Sequence, residues 1–281
     1  MEIGLLVLTF AALTLAAWML EQFFDHALSK TVIKVKRKLL GSAREQIDDT
    51  FCPTVRSKFA TTDSELEIVL QLRRSFFQEN VIVSDESYRE CNAKNRYCFK
   101  LIFADLQPIG YWGVIPISKE TFDDCRSGIL NHEEVIKNRA IRWDETKDQL
   151  YLYVVGAVVP LGPAVSSDYS SLLKGLFSKY VILDIYSFAT FLNEQSELAG
   201  VIAWPSRNGG LNSLRRTKGF KKTDAFMAGD ENHPIFELED REQFLRFTQE
   251  KFDRHPDSVP IWDHAEKMKF IANNLSRRRG E

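Results

Sequence analysis

The chain of 281 residues predicts an α/β (α+β) fold, with a mixed, mainly antiparallel central sheet flanked by helices. Three observations carry that prediction. Residues 150–159 form one apolar run that stops at Pro160, and a small-residue loop, 161–168, leads from it into a helical pattern over 169–177. Residues 97–104 and 110–117 are strand-like and are joined by a turn at 105–108, which makes a hairpin. A second apolar run, 200–204, precedes a short helix that opens near Asn208 and closes at Gly219-Phe220. The order is therefore helix, helix, hairpin, strand, helix, strand, short helix, strand. A strand followed by a loop with unpaired amides and a helix start is a place that can hold a pyrophosphate.

The elements can be justified in chain order. Residues 3–20 carry no charge and are long enough to cross a bilayer core of ~30 Å as a helix. Trp18 suits an interface, and Phe23 and Phe24 extend the apolar character. Only Met1 and Glu2 precede the run, and bulky Trp18, Met19 and Leu20 stand where a cleaved signal would need small residues. Residues 1–25 are thus expected to be a retained, single-pass transmembrane anchor. Lys30, Lys34, Lys36, Arg37 and Lys38 follow it in a basic juxtamembrane linker, 26–57, which orients the soluble domain toward the cytoplasm. The same residues would lie against anionic lipid heads or form a solvated linker face.

The main domain is expected over 58–235. Residues 63–78 read as an amphipathic helix, with Leu66, Val69, Leu70, Arg73, Phe76 and Phe77 at helical spacing and Asp63 or Ser64 as the cap. Ser84 caps a second short helix, and 121–135 is a helix or loop excursion. Residues 236–281 read as a helical appendage. Phe244, Leu245, Phe247 and Phe252 are its buried candidates, Pro256 and Pro260 are breaks, and a last helix spans 263–275.

Twenty phenylalanines and five tryptophans supply an ample core. A net charge of −2 argues against nucleic acid as a partner. Cys52, Cys91, Cys98 and Cys125 form no CxxC pair and have no histidine cluster beside them, so no metal is expected. Cys91 and Cys98 would bridge in an oxidising compartment, whereas a cytosolic body keeps thiols free. His132, His233, His255 and His264 have no partner at ligand spacing and are read as structural.

Together these residues resemble the GNAT superfamily of N-acyltransferases over roughly residues 58–226. The helix at 65–77, the hairpin 99–117 with Gly110 opening its second strand, the strand 151–159 followed by Pro160, and Asn208, Leu211, Leu214, Gly219 and Phe220 carry the likeness. It implies a V-shaped split between the fourth and fifth strands where acetyl-CoA or another acyl-CoA lies as co-substrate. Backbone groups of Ala157, Val158 and Val159 would bond the pantetheine like an added strand. The amides of Val165, Ser166, Ser167 and Asp168 would face the pyrophosphate, and Asn208 would reach the pantetheine arm. The reaction implied is transfer of an acyl group, acetyl in the first instance, to an amine whose identity stays open, as does homo-oligomerisation.

The sequence departs from the family pattern at two places. The only glycine of the loop is Gly162, with Ser166, Ser167 and Ser170 as small substitutes. Pro163 removes an amide donor, and Asp168 puts a carboxylate near an anion or caps the helix. Arg215 stands where the family commonly has a tyrosine acid, and arginine is a poor proton donor that can still stabilise a thiolate. Tyr153, Tyr169 and Arg215 are the catalytic candidates, with Tyr186 as another source of the acid. Tyr151 and Tyr153 alternate with Leu152 and Val154 on their strand, with one face toward the core and the other toward the groove. Asp144 and Glu145 precede that strand as a base or a solvated turn. Arg207, Arg215, Arg216, Lys218, Lys221 and Lys222 form a basic cluster or a solvated face. The sequence thus supports two readings: a membrane-anchored acyltransferase, or a catalytically inactive module of the same fold that senses a ligand or binds a partner. In a third, the likeness is accidental and the domain binds an unknown ligand.

Overall fold

The computed structural model describes residues 54–77, 83–146, 149–159, 167–205, 208–230 and 232–274. The expected membrane anchor lies outside them, and no helix among the described residues is long and apolar enough to cross a membrane.

An eight-stranded sheet forms the body, in the order β6-β7-β5-β4-β3-β2-β1-β8. β1 (Val55–Phe59) alternates buried and exposed residues, as a strand with one covered face must. α1 (Asp63–Phe77) and α2 (Asp85–Lys94) follow, then the hairpin of β2 (Phe99–Ala104) and β3 (Gln107–Ile117). Asp105 turns that hairpin at φ 55°, a left-handed conformation that short polar side chains tolerate. Its Oδ1 accepts from the Thr54 amide at 3.0 Å. The excursion after β3 resolves into α3 (Lys119–Arg126), the single turn α4 (His132–Glu134) and a π-helical turn, Val135–Arg139. β4 (Gln149–Val158) is antiparallel to β3. The long helix α5 (Ser167–Gln195) then crosses back to β5 (Glu197–Ala203), which is parallel to β4. α6 (Asn208–Arg216), β6 (Phe220–Phe226) and β7 (Pro234–Leu238) complete that side. The mixed, mainly antiparallel sheet with flanking helices matches the fold class read from the sequence.

The cap of α1 sits one residue earlier than expected. Thr62 Oγ1 accepts from the Glu65 amide at 3.3 Å, and Glu65 Oε2 accepts from the Thr62 amide at 3.0 Å. That reciprocal pair satisfies two end donors at once, which neither Asp63 nor Ser64 can do. Ser84 caps α2 as expected, accepting from the Ser87 amide at 3.1 Å.

The tail is woven into the sheet. After α7 (Arg241–Arg254), β8 (Ile261–Trp262) pairs parallel to β1, and α8 (His264–Asn274) lays Phe270 against Phe59 with ring centres 5.6 Å apart. β1 would otherwise leave an open edge beside aromatic side chains, and the tail covers both. Of the tail phenylalanines, Phe244 and Phe247 are buried, packing against Tyr186 at 5.7 and 5.8 Å.

The two faces of the sheet differ. Leu66, Leu70, Tyr88, Phe99, Leu101, Tyr111, Ile115, Tyr153 and Ile202 form an apolar core with α1 and α2. On the α5 face, rings of Phe59, Trp112, Phe188, Trp262 and Phe270 surround a buried charge pair. Lys100 Nζ of β2 lies 3.1 Å from Asp184 Oδ1 of α5, and both side chains are inaccessible. Asp184 also accepts from Ser57 Oγ and from Trp112 Nε1, each at 2.7 Å. Burial pushes the Lys100 ammonium below its ordinary pKa, and Asp184 opposes that shift.

Removing one member strands the other in a low dielectric. Asp184→Ala should therefore lower unfolding free energy by ~3–5 kcal/mol, whereas Lys100→Met combined with Asp184→Leu should lose much less. Urea midpoints of the three proteins check this.

Candidate active site

The site begins where two strands part. β4 pairs with β5 from Gln149↔Glu197 to Val154↔Ala203 and no further. β4 continues, held to β3 alone, through Gly156↔Gly113, Ala157↔Trp112 and Val158↔Tyr111. The causes lie in the chain. Val155 is an extra residue on β4, between Val154↔Val114 and Gly156↔Gly113, and such a bulge bends and twists its strand. β5 meets Pro205 two residues after its end, and proline cannot donate to a ladder. The edge of β4 over 155–158 thus has no partner strand on the β5 side among the described residues.

Two glycines of this region have opposite surroundings. A Cβ on Gly110 would sit 2.6 Å from the Val158 carbonyl oxygen, so only glycine lets β3 approach. A Cβ on Gly156 would meet nothing within 4 Å, because Gly156 faces open space.

That space is a cavity of about 240 Å³, reaching both faces of the sheet at the gap. On the α5 face its walls are Leu152 and Val154 of β4, Val201 and Ala203 of β5, and Ile182, Ile185, Tyr186 and Ala189 of α5. The four α5 positions share one side of the helix. Leu214 and Thr217 close the far wall, and the Tyr186 hydroxyl lies 2.8 Å from Thr217 Oγ1. Burial raises the Tyr186 pKa, so the phenol keeps its proton.

On the opposite face polar groups join Phe76, Phe77 and Val83 in the lining. Arg73, Tyr88, Tyr111, His132 and Trp204 converge there, and Arg73 is the only charged side chain among the described lining residues. Its guanidinium is buried, donates to the Val83 carbonyl, reaches Asp85 Oδ1 at 2.5 Å and lies 4.5 Å from the Tyr88 ring centre. Neither Arg73 Nε nor Trp204 Nε1 has a hydrogen-bond partner among the described residues.

His132 ties this mouth to the parted strand. Its Nδ1 is hydrogen-bonded to the Tyr153 hydroxyl, one residue before β4 makes its last pair with β5 at Val154. Burial, with Arg73 nearby, pushes the His132 pKa down to about 4, so the ring is neutral at pH 7.

The residues expected from sequence fall into three groups. Ala157 lines the cavity, Val158 is buried in the β3 ladder, and Val159 is buried just after the strand. Tyr153 and Arg215 do not line it: Tyr153 is fully buried behind His132, and Arg215 is exposed at the end of α6. Tyr153 lies where β4 is still paired to β5, opposite Ile202, and His132 covers its hydroxyl. The backbones of Ser167, Asp168 and Tyr169 form the first turn of α5, and Asn208 begins α6, but their side chains lie outside the described residues, as do Val165 and Ser166. Asp144 and Glu145 brace a turn, with Asp144 2.9 Å from Arg142 and Glu145 accepting from the Arg142 amide. In the basic cluster, Lys221 pairs with Glu239 at 2.8 Å, and Arg216, Lys218 and Lys222 are exposed. Cys91, Cys98 and Cys125 are free, buried thiols, and Cys52 lies outside the described residues. Among the described residues no group of three His, Cys, Asp or Glu side chains converges.

Sequence reasoning set His132 aside, and nothing local marks it, because its partner Tyr153 is 21 residues away. Arg73 carried a signal: it stands on the buried stripe of α1 beside Leu66, Val69 and Leu70.

No protein-family profile matches the chain, and no curated protein does. Solved structures do. Naa50 of Arabidopsis thaliana, in complex with a bisubstrate analogue, is 14% identical, covering 66% of this chain and 97% of that one, with a TM-score of 0.36. The loading GNATL domain of CurA from Lyngbya majuscula is 11% identical over 66% of this chain and 97% of its own, with a TM-score of 0.41. N-acetylglutamate synthase of Neisseria gonorrhoeae, complexed with coenzyme A and N-acetyl-glutamate, is 11% identical over 65% of this chain and 34% of its own, with a TM-score of 0.35.

The buried histidine has a pH consequence. Its folded pKa of about 4 lies below the ordinary ~6.5, so between those values the unfolded chain binds the extra proton. The contribution is complete above pH ~6.5 and declines as pH falls toward 4, by at most roughly 3 kcal/mol. His132→Gln should flatten that part of the profile while leaving the carboxylate-driven fall below pH 4. Denaturant unfolding at pH 7.5, 6 and 5 measures the difference.

Proposed function

We propose that this protein is an acyl-CoA-dependent N-acyltransferase, held at the membrane by residues 3–20 with its folded domain in the cytoplasm. One observation carries the catalytic part: β4 loses β5 as a neighbour after Val154 while the cavity opens beside Gly156 and Ala157. An extended pantetheine arm has amides that can take the place of the missing strand. Gly156 leaves room for it, and α5 starts just beyond β4, where backbone amides favour a pyrophosphate. The anchor and its orientation rest on the uncharged run and the lysines that follow it.

The bound thioester supplies an activated acyl group. The protein positions it by the free edge of β4 and excludes water with Leu152, Val154, Ile182 and Ile185. Tyr186, braced by Thr217, offers a protonated hydroxyl on the wall of the cavity, where it can donate to a developing thiolate. The amine enters from the opposite face, past Arg73, Tyr88 and His132. His132 is neutral and engaged on β4, so it acts as a positioning residue that keeps the strand bulged. Arg215, exposed outside the cavity, is left for contact with the distal part of coenzyme A. The same geometry suits a module that binds acyl-CoA without turnover, and thioester cleavage separates the two.

Gly156→Leu tests the reading directly. The new side chain fills open space, so melting should change little while the strand site is blocked. Calorimetric binding of acyl-CoA should then fall at least tenfold. A wild-type protein that binds no acyl-CoA at all would end the proposal. Tyr186→Phe should leave binding near wild type and lower thiol release, read with a thiol reagent, by roughly 10²-fold.

A further inference from the structure

We infer that the acyl group this site accepts is a hydrocarbon chain several carbons longer than acetyl, stored between α5 and the sheet. The inference rests on the acyl-CoA reading and specifies its donor.

The cavity does not end where the strands part. Leu152 and Val201 line it, and they form a paired register position two residues below the last pair, Val154↔Ala203. At that depth β4 and β5 are hydrogen-bonded to each other, so no backbone group is free for an amide-bearing ligand. What lies there must lie on the α5 face, against side chains alone.

Those side chains are apolar. Leu152, Val154, Val201 and Ala203 form the floor, and Ile182, Ile185 and Ala189 the roof, with the Trp112 and Phe188 rings also on the lining. No charged described residue lines this side, and its main polar pair, Tyr186 and Thr217, is mutually satisfied at 2.8 Å. A water needs two to four polar partners, which this pocket does not offer. Protein interiors seldom leave voids larger than a water, so an apolar recess opening from a thioester site points to an apolar segment of the substrate.

The length follows from the helix. The lining from Ile182 to Ala189 rises ~10 Å at 1.5 Å per residue. An acetyl methyl at the strand gap would leave that stretch unfilled. Small Ala189 at its end keeps the recess open where a larger residue would close it. Each methylene transferred into such a pocket strengthens binding by about fourfold.

The test is calorimetry on the full-length protein with coenzyme A, acetyl-CoA and octanoyl-CoA. Octanoyl-CoA, six methylenes longer than acetyl-CoA, should bind on the order of 10³-fold more tightly. Ala189→Phe should erase that preference while leaving acetyl-CoA affinity within a few fold, and Val201→Leu, a milder filling, should halve the logarithm of the preference. Both variants are first checked for an unchanged melting transition. Equal affinity for acetyl- and octanoyl-CoA in the wild type overturns the inference and leaves the acyl-CoA site standing. Retention of the octanoyl preference in both folded variants overturns the assigned position of the chain. Failure of all three compounds to bind overturns the acyl-CoA reading, and this inference with it.

Discussion

The parting of β4 from β5 is the constraint on which the site depends. A sheet normally satisfies its own backbone, and a strand that keeps one neighbour while losing the other must find hydrogen bonds elsewhere. Here the loss is built in by three local features: the extra residue Val155, the glycine that follows it, and Pro205 on the other branch. None of the three costs the fold its continuity, because β3 stays paired with β4 to Val158 and β7 stays paired with the other edge of β5.

Such a gap would close or fray without rigid surroundings. α5 supplies the roof, and the Asp184 carboxylate fixes its position by binding Lys100, Ser57 and Trp112, from three successive strands of the sheet. A charge that must meet three partners allows one docked placement of the helix. On the other face His132 performs the matching task through Tyr153 of β4. Both sides of the cavity are therefore set by buried polar contacts, while its α5 side is lined mainly by hydrocarbon. That division keeps the shape rigid and the contents interchangeable.

Much of this was legible in the sequence. The hairpin, β4 and the Asn208 helix appear where pattern and punctuation put them, because each is set by neighbours in the chain, whereas the helix after β4, legible over 169–177, runs on to Gln195. The splaying of β4 was anticipated from a family resemblance, and the register then supplied its local cause in Val155. What could not be read depends on distant partners. His132 acquires its role from a residue on another strand, and Tyr153 was placed on the groove because alternation gives two faces without saying which is covered. The tail was taken as an appendage since two residues, Ile261 and Trp262, are too few to show a strand period. Arg73 was visible as a cation on an apolar stripe, yet its partners Val83 and Asp85 lie beyond the end of its own helix.

The tail's return to β1 has a mechanical side. β1 is the first strand after residue 54, and it is clasped on both edges, antiparallel by β2 and parallel by β8. Tension applied along the axis of β1 would load both of its edges at once. The bonds on either flank would then resist sliding collectively instead of opening one at a time like a zip. A first strand held on both edges is thereby suited to withstand pulling along its own direction.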